Sequence, residues 1–413
     1  MAALFSGLLL LFFIYMRWRI RVARKNKSII SLLLNPLLWL SLWAALYSLV
    51  SSLGLLFLPS ALDFFLPNSG LQLQTNAYWM HLLAFCICFI FFALSSDYNK
   101  ECVSRKSAYI YIKRNHGLWV QILTLSTFIL CILALSASYL FVLPHYSVRA
   151  VALDAYVQFV YTPFRITVVS MFLPLLIFLT ATSNLWGNSF TRISLYLSSA
   201  SLILIDFSHG GRTMAFRILL AWYLALFATN KLNKYNLLTL SSLPAIAFLI
   251  SMSQRSLTGL FSILSELIGT RLTTDLVLIN NDKASGIVNS LNCVFMSMTP
   301  NFLGLHDWCA IKINEIAHQG LAFSYVSSAF HYAGYSFYYI IAIIAFFLLC
   351  LNKWKNTGSY AAYSTCFLTI ISMQDAFRTD LTPMLSRILL FMILYGSVII
   401  FPLLKKKISS NYN

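Results

Sequence analysis

The chain has 413 residues, of which 59% are hydrophobic and 10% charged, with a net charge of +17. Its mean hydropathy of +0.77 and charged fraction far below the roughly 25% of a soluble domain exclude an ordinary globular protein. The positive charge does not mark a nucleic-acid binder, because the basic residues flank apolar runs instead of gathering in a soluble basic domain.

In chain order, apolar runs predict spanning helices near 1–16, 28–58, 78–96, 117–143, 166–184, 193–206, 214–229, 237–252, 335–351, 360–376 and 387–404. About 20 apolar residues cross a bilayer core of about 30 Å, and a segment in lipid must be helical to satisfy its own backbone. The run at 28–58 is long and is expected to tilt or break at Pro36. The first run is followed by Arg17, Arg19, Arg21, Arg24, Lys25 and Lys27. A cleavable signal carries its charge before the apolar stretch, so this segment is expected to remain as a helix with its N-terminus outside.

Placing 17–27 in the cytoplasm fixes the other loops by alternation. The inside loops then hold 19 of the 29 Lys and Arg residues, and of 12 acidic residues only Asp97 and Glu101 fall inside. That bias matches the positive-inside rule and puts the C-terminus in the cytoplasm. The expected architecture is a single all-α integral membrane domain of about eleven spans. One large periplasmic loop, 253–334, lies between the eighth and ninth. Its first part, with Leu257, Leu260, Phe261, Leu264, Leu267 and Ile268, has helical apolar spacing. It reads either as a helix in the membrane interface or as one packed on the ends of the bundle.

Cys86, Cys88, Cys131, Cys350 and Cys366 fall in apolar spans and read as packing residues. Cys293 and Cys309 share the large loop, where a disulfide is open to them. There is no GxxxxGK[ST], HExxH or CxxC motif. The first outer loop offers only Asp63, so a metal-dependent enzyme with paired carboxylates there is not expected.

The positive signal is arginine on the outer side. Arg212 lies in Phe207-Ser208-His209-Gly210-Gly211-Arg212-Thr213, with Arg217 further along the next helix. Arg255 follows the eighth span, Arg378 lies in Asp375-Ala376-Phe377-Arg378-Thr379-Asp380, and Arg387 opens the last span. An arginine within a span costs roughly 2.5–3.5 kcal/mol on insertion scales, so each needs a reason. A pyrophosphate, gripped by planar guanidinium groups, supplies one. Gly210 and Gly211 would let backbone N–H groups approach the same anion at a helix start. Each arginine could instead snorkel or pair with a carboxylate such as Asp206, Asp375 or Asp380. For Arg149, Arg165 and Arg271 that structural role is the expectation. It is also the expectation for Arg387, which is nevertheless retained as a substrate-binding candidate. Among the histidines, His331 stands where the large loop re-enters the membrane and is the best candidate base. His81, in the third span, reads as a satisfied bundle residue.

At these residues the chain resembles the Wzy-type O-antigen and oligosaccharide repeat-unit polymerases. The likeness rests on four features: the Gly-Gly-Arg-Thr turn before a span, the late outer loop, the Tyr- and His-rich stretch 325–339 with Gly334, and Phe-Arg-Thr-Asp-Leu before the last span. It implies a metal-independent, cofactor-free glycosyltransferase of the GT-C type in the bacterial inner membrane. The substrates would be undecaprenyl-pyrophosphate-linked oligosaccharides, with the growing chain moved as a block to an incoming repeat unit at the periplasmic face. By motif match, Arg212, Arg378 and Arg255 would hold the pyrophosphate. His331 or Asp380 would assist the acceptor hydroxyl, and Arg217, Gly210, Gly211, Tyr325 and Arg387 would bind substrate. Membrane lipid and a polysaccharide chain-length regulator are the other partners to look for; nucleic acid is not. The family often carries a glutamate where this chain reads Tyr325-Val326-Ser327-Ser328, which leaves the base open. An O-antigen ligase using the same donor, and a lipid-linked oligosaccharide flippase or other transporter, remain alternatives.

Overall fold

A computed structural model of the protein describes residues 1–26, 28–57, 71–97, 117–209, 211, 213–229, 268–272, 274–276, 278, 324–357 and 360–378. Among these residues every regular element is helical. The helices are α1 (Ala2–Lys25), α2 (Ile29–Leu33), α3 (Pro36–Phe57), α4 (Leu71–Leu94), α5 (Gly117–His145), α6 (Arg149–Tyr156), α7 (Ile166–Thr182), α8 (Ser189–Ser208), α9 (Thr213–Ala228), α10 (Tyr325–Ala333), α11 (Phe337–Asn356) and α12 (Tyr360–Arg378). Six helical runs among the described residues are long and apolar enough to cross a membrane: α1, α3, most of α4, α5, α8 and the continuous run of α10 and α11. Helices stand at nine of the eleven expected positions; the expected spans at 237–252 and 387–404 lie outside the described residues. So do most of the expected amphipathic helix at 257–268 and the cysteines of the large loop.

Local chemistry explains the helix ends. The expected break at Pro36 is built by Asn35, whose side chain accepts from the Leu37 N–H at 3.0 Å while Pro36 takes the first helical position. That proline needs no N–H there, and its fixed φ suits a helix start. Helix α1 ends on Arg24 and Lys25, cations favoured at the negative end of the helix dipole. Asn188 caps α8 by accepting from the Phe190 and Thr191 N–H groups. Arg165, just before α7, takes a left-handed φ of 49°, which costs a non-glycine residue about 1–2 kcal/mol.

The described chain forms two compact units. The first contains α1 to α4, residues 268–278 where described, α10, α11 and the last turns of α12. Here α4 packs on both α3 and α11, and Phe12 of α1 meets Phe85 edge-on at 5.8 Å. Much of α1 faces outward: Leu10, Phe13 and Ile14 are all more than half exposed, a surface that suits lipid tails and not water. The second unit contains α5 to α9 and the middle of α12. Helix α8 lies against both α5 and α9, with its small residues Ser198 and Ser199 buried. Such residues let helix backbones approach closely where lipid supplies no hydrophobic drive. Trp222 of α9 donates its indole N–H to Ser199 Oγ at 2.9 Å and stacks on Tyr196.

One end of the first unit is fastened by polar groups. Arg19 of α1 pairs with Asp97, just beyond α4. Asn35 donates through Nδ2 to Asp97 Oδ1 at 2.9 Å and to Ser95 Oγ at 2.8 Å. Lys355 of α11 is fully buried and donates to the Ser31 carbonyl at 2.6 Å. Asn352 and Asn356 both donate to the Ser96 carbonyl. The Arg19–Asp97 pair is buried on both sides, so removing one member leaves an uncompensated charge. Asp97→Ala is expected to destabilise the protein by about 3 kcal/mol, read as a clear drop in thermal unfolding temperature in detergent; an unchanged midpoint would show that the pair bears no weight.

Candidate functional site

The Gly-Gly-Arg-Thr turn connects α8 to α9 in the second unit. Gly210 and Arg212 lie outside the described residues; Gly211 and the two helices are described. Asp206, in the last turn of α8, reaches forward and accepts the Ala215 N–H through Oδ2 at 3.0 Å. That bond satisfies one of the amides that every helix start leaves open. Gly211 donates its own N–H back to the Asp206 carbonyl at 2.7 Å. A Cβ at Gly211 would run into Asp206 Oδ1 and stand 2.6 Å from His209 Nε2, so only glycine fits. From the sequence, Gly210 and Gly211 are expected to let an anion approach the backbone. The structure gives Gly211 a different reason: the Asp206 carboxylate and the His209 imidazole occupy the space of its missing side chain.

His209 is fixed on all sides. Its Nδ1 donates to the Ile205 carbonyl at 3.1 Å, and its Nε2 lies 3.8 Å from Asp206 Oδ1. Its ring stacks on Tyr156 of α6, with centroids 3.8 Å apart. Burial raises the Tyr156 phenol above its ordinary pKa; the nearby Asp206 carboxylate adds to this and Arg217 opposes it. Arg217 itself is buried in α9, so a cation, a carboxylate, an imidazole and a phenol share one end of this unit. Ser138 of α5 bonds Ser208 at 2.6 Å from the start of a π-helical turn, Ser138–Val142, a distortion frequent at functional sites.

The first unit holds a second polar cluster that sequence reasoning mostly missed. His81 of α4 is fully buried, with Nδ1 3.1 Å from Ser48 Oγ and Nε2 3.0 Å from Thr274 Oγ1. Ser48 lies in the π-helical turn Ala45–Val50 of α3 and also bonds the Tyr325 hydroxyl at 2.8 Å. Thr274 is 2.5 Å from Ser327 Oγ and 3.1 Å from Ser324 Oγ. One turn away, Arg271 pairs with Asp275 at 3.0 Å and lies over the Tyr78 ring at 4.7 Å. Both members of that pair are fully buried. The sequence signal was available: Arg271 and Asp275 are opposite charges at i and i+4 on a helix.

Of the expected site residues, Arg217 falls in the second unit, and Tyr325 and His331 in the first. Tyr325 is buried, hydrogen-bonded to Ser48, with its ring 4.3 Å from that of Phe377. His331 lies half-buried near the end of α10, edge-on to Tyr332. Arg378 is the last residue of α12. Arg255, Asp380 and Arg387 lie outside the described residues. His81 is the satisfied bundle residue expected, and Arg271 is ion-paired as its structural reading requires. No family model matches the chain, and neither does any curated protein or solved structure.

Two outcomes follow from this geometry. Gly211→Ala is expected to destabilise the protein by roughly 1–3 kcal/mol through overpacking. Gly187→Ala, where a Cβ meets nothing within 4 Å, is the control; thermal unfolding of both variants decides, and equal midpoints would remove the steric account. Burial, opposed by Arg271, pushes the Asp275 carboxyl up to about 6 from its ordinary 3.8. A carboxyl raised in the folded state favours folding below its unfolded pKa, and that contribution is lost as pH rises through the folded value. Stability should therefore fall between about pH 4 and about pH 6, and Asp275→Asn should flatten that part of a melting-temperature profile.

Proposed function

We propose that the protein is an integral membrane glycosyltransferase of the GT-C type that polymerises lipid-pyrophosphate-linked oligosaccharide repeat units at the periplasmic face of a bacterial inner membrane. In this reading about eleven spans carry the chain, with the N-terminus periplasmic and the C-terminus cytoplasmic, and 253–334 forms the large outer loop. The observation that carries the reading is the tightly built turn between α8 and α9. Asp206 fixes the start of α9, Gly211 admits no side chain, and the very next residue is the arginine of the Gly-Gly-Arg-Thr motif. A turn whose conformation is over-determined in this way suits the placement of one functional group.

The chemistry asks little more of the protein than positioning and charge. An acceptor sugar hydroxyl attacks the anomeric carbon of the lipid-linked donor. The new C–O bond forms as the bond from that carbon to the pyrophosphate breaks. The electron pair leaves with the pyrophosphate, where Arg212 and Arg378, with Arg255 and Arg217, stabilise the developing charge. The hydroxyl proton passes to a base, for which His331 and Asp380 are the candidates. The bilayer holds both carriers at one surface, which supplies proximity.

Arg212→Ala and Arg378→Ala are expected to leave membrane insertion intact while long polysaccharide chains disappear from a lipopolysaccharide gel and single repeat units remain on the core. Bare core in place of single units would identify a ligase instead. Normal chain length in both variants would refute the enzymatic reading.

A further inference from the structure

At the end of the first unit fastened by Arg19 and Asp97, a groove of about 200 Å³ opens between the last turns of α1 and the residues after α4. Tyr15, Trp18, Arg19, Asn26, Ser96 and Asp97 line it. The one acid in its wall is already compensated, held by the Arg19 guanidinium and by the Asn35 amide.

The surface of α1 leading into this groove has a definite order. Leu11, Ile14, Trp18, Arg21 and Lys25 recur at i, i+3, i+7, i+10 and i+14, so they lie on one face of the helix. All five are exposed. At about 1.5 Å per residue the stripe is about 21 Å long. It runs from aliphatic, through an aromatic of the kind that sits at membrane interfaces, to two cations beside the groove. Arg17 and Arg24 are also exposed; each stands one turn from Arg21, and at 100° per residue they lie about 80° and about 100° around the helix from Lys25.

We propose that this stripe and groove bind one anionic phospholipid: its acyl chain along Leu11 and Ile14, its glycerol region against Trp18, and its phosphate beside Arg21 and Lys25. Serine and amide groups of the groove supply hydrogen bonds to the headgroup. The aliphatic end distinguishes a lipid from free phosphate, and the paired cations distinguish an anionic headgroup from a zwitterionic one. Basic pockets beside spanning helices are known sites for anionic headgroups. The site does not depend on the glycosyl-transfer reading, since none of its residues belongs to that machinery.

Native mass spectrometry of the purified full chain tests it, with phosphatidylglycerol and phosphatidylcholine added in competition. The wild type should retain phosphatidylglycerol preferentially. Arg21→Gln with Lys25→Gln should lower that preference roughly thirtyfold, and Lys25→Gln alone, the milder change, roughly fivefold. Arg17→Gln with Arg24→Gln removes the same charge from the flank of α1 away from Lys25 and should lower the preference by clearly less than the Arg21 and Lys25 pair does. Millimolar inorganic phosphate should not displace the lipid. Equal losses in the two double variants would mean diffuse attraction and overturn the site. So would an unchanged preference in the groove variants, or displacement by inorganic phosphate, which would mark a plain phosphate site.

Discussion

Within a membrane, the partner of each buried polar group decides how the helices of this protein meet. Lipid tails are as apolar as leucine, so burying leucine against leucine gives one helix no strong preference for a particular neighbour or register. A buried hydrogen bond or ion pair does, because the alternative is an unsatisfied group in a low dielectric. The first unit is held in this way at two levels. Around Asp97, groups from α1, α3 and α4 converge, and α11 joins through Asn352, Asn356 and Lys355. Around His81, groups from α3, α4, α10 and the 268–278 segment converge. Interhelical bonds of this kind in a membrane average about 0.6 kcal/mol each. Their effect is therefore on which arrangement wins more than on how stable it is.

The second unit uses close approach where the first uses charge. The buried serines of α8 let α5 and α9 come near, and several of them return their hydroxyls to carbonyls one turn back, as Ser198 does to Ser194 and Ser199 to Leu195. A hydroxyl satisfied on its own helix costs little to bury. The unit concentrates its ionisable groups at one place, the end of α8, where Asp206, His209, Tyr156 and Arg217 come together. The π-helical turns of α3 and α5 each contribute a serine to one of the two polar clusters. An extra residue in a turn re-aims side chains that a regular helix would send elsewhere.

Helix positions were legible in the sequence because run length and apolarity report them directly, and Asn35-Pro36 announced its break through known cap chemistry. Partnerships were not. Arg19 and Asp97 are 78 residues apart, and Ser48 and Tyr325 are 277 apart; no local pattern encodes either pairing. The glycines before Arg212 stand out in the sequence as an opening for an anion; at Gly211 what the structure shows is the exclusion of a side chain. The sequence could not say that the excluding groups are Asp206 and His209. Nor could it say that Tyr325 spends its hydroxyl on Ser48 inside the unit.

Two of the buried arginines, Arg19 and Arg271, show how a structural arginine is accommodated here. Arg19 and Arg271 each arrive with a carboxylate of the same chain, and each lies over an aromatic ring. That arrangement cannot be general, because 29 basic side chains share only 12 acidic ones. Asp97, Asp206 and Asp275 are already committed to internal partners. The remaining cations outnumber the remaining carboxylates, so most of the excess must be neutralised by anions the chain does not carry. At a membrane surface the abundant anion is phosphate. It is present in lipid headgroups beside the exposed bases of the last turns of α1, and in the pyrophosphate of a lipid-linked sugar if the Gly-Gly-Arg-Thr turn acts as proposed. One imbalance of charge underlies both assignments, but they use different residues, and either can fail without the other.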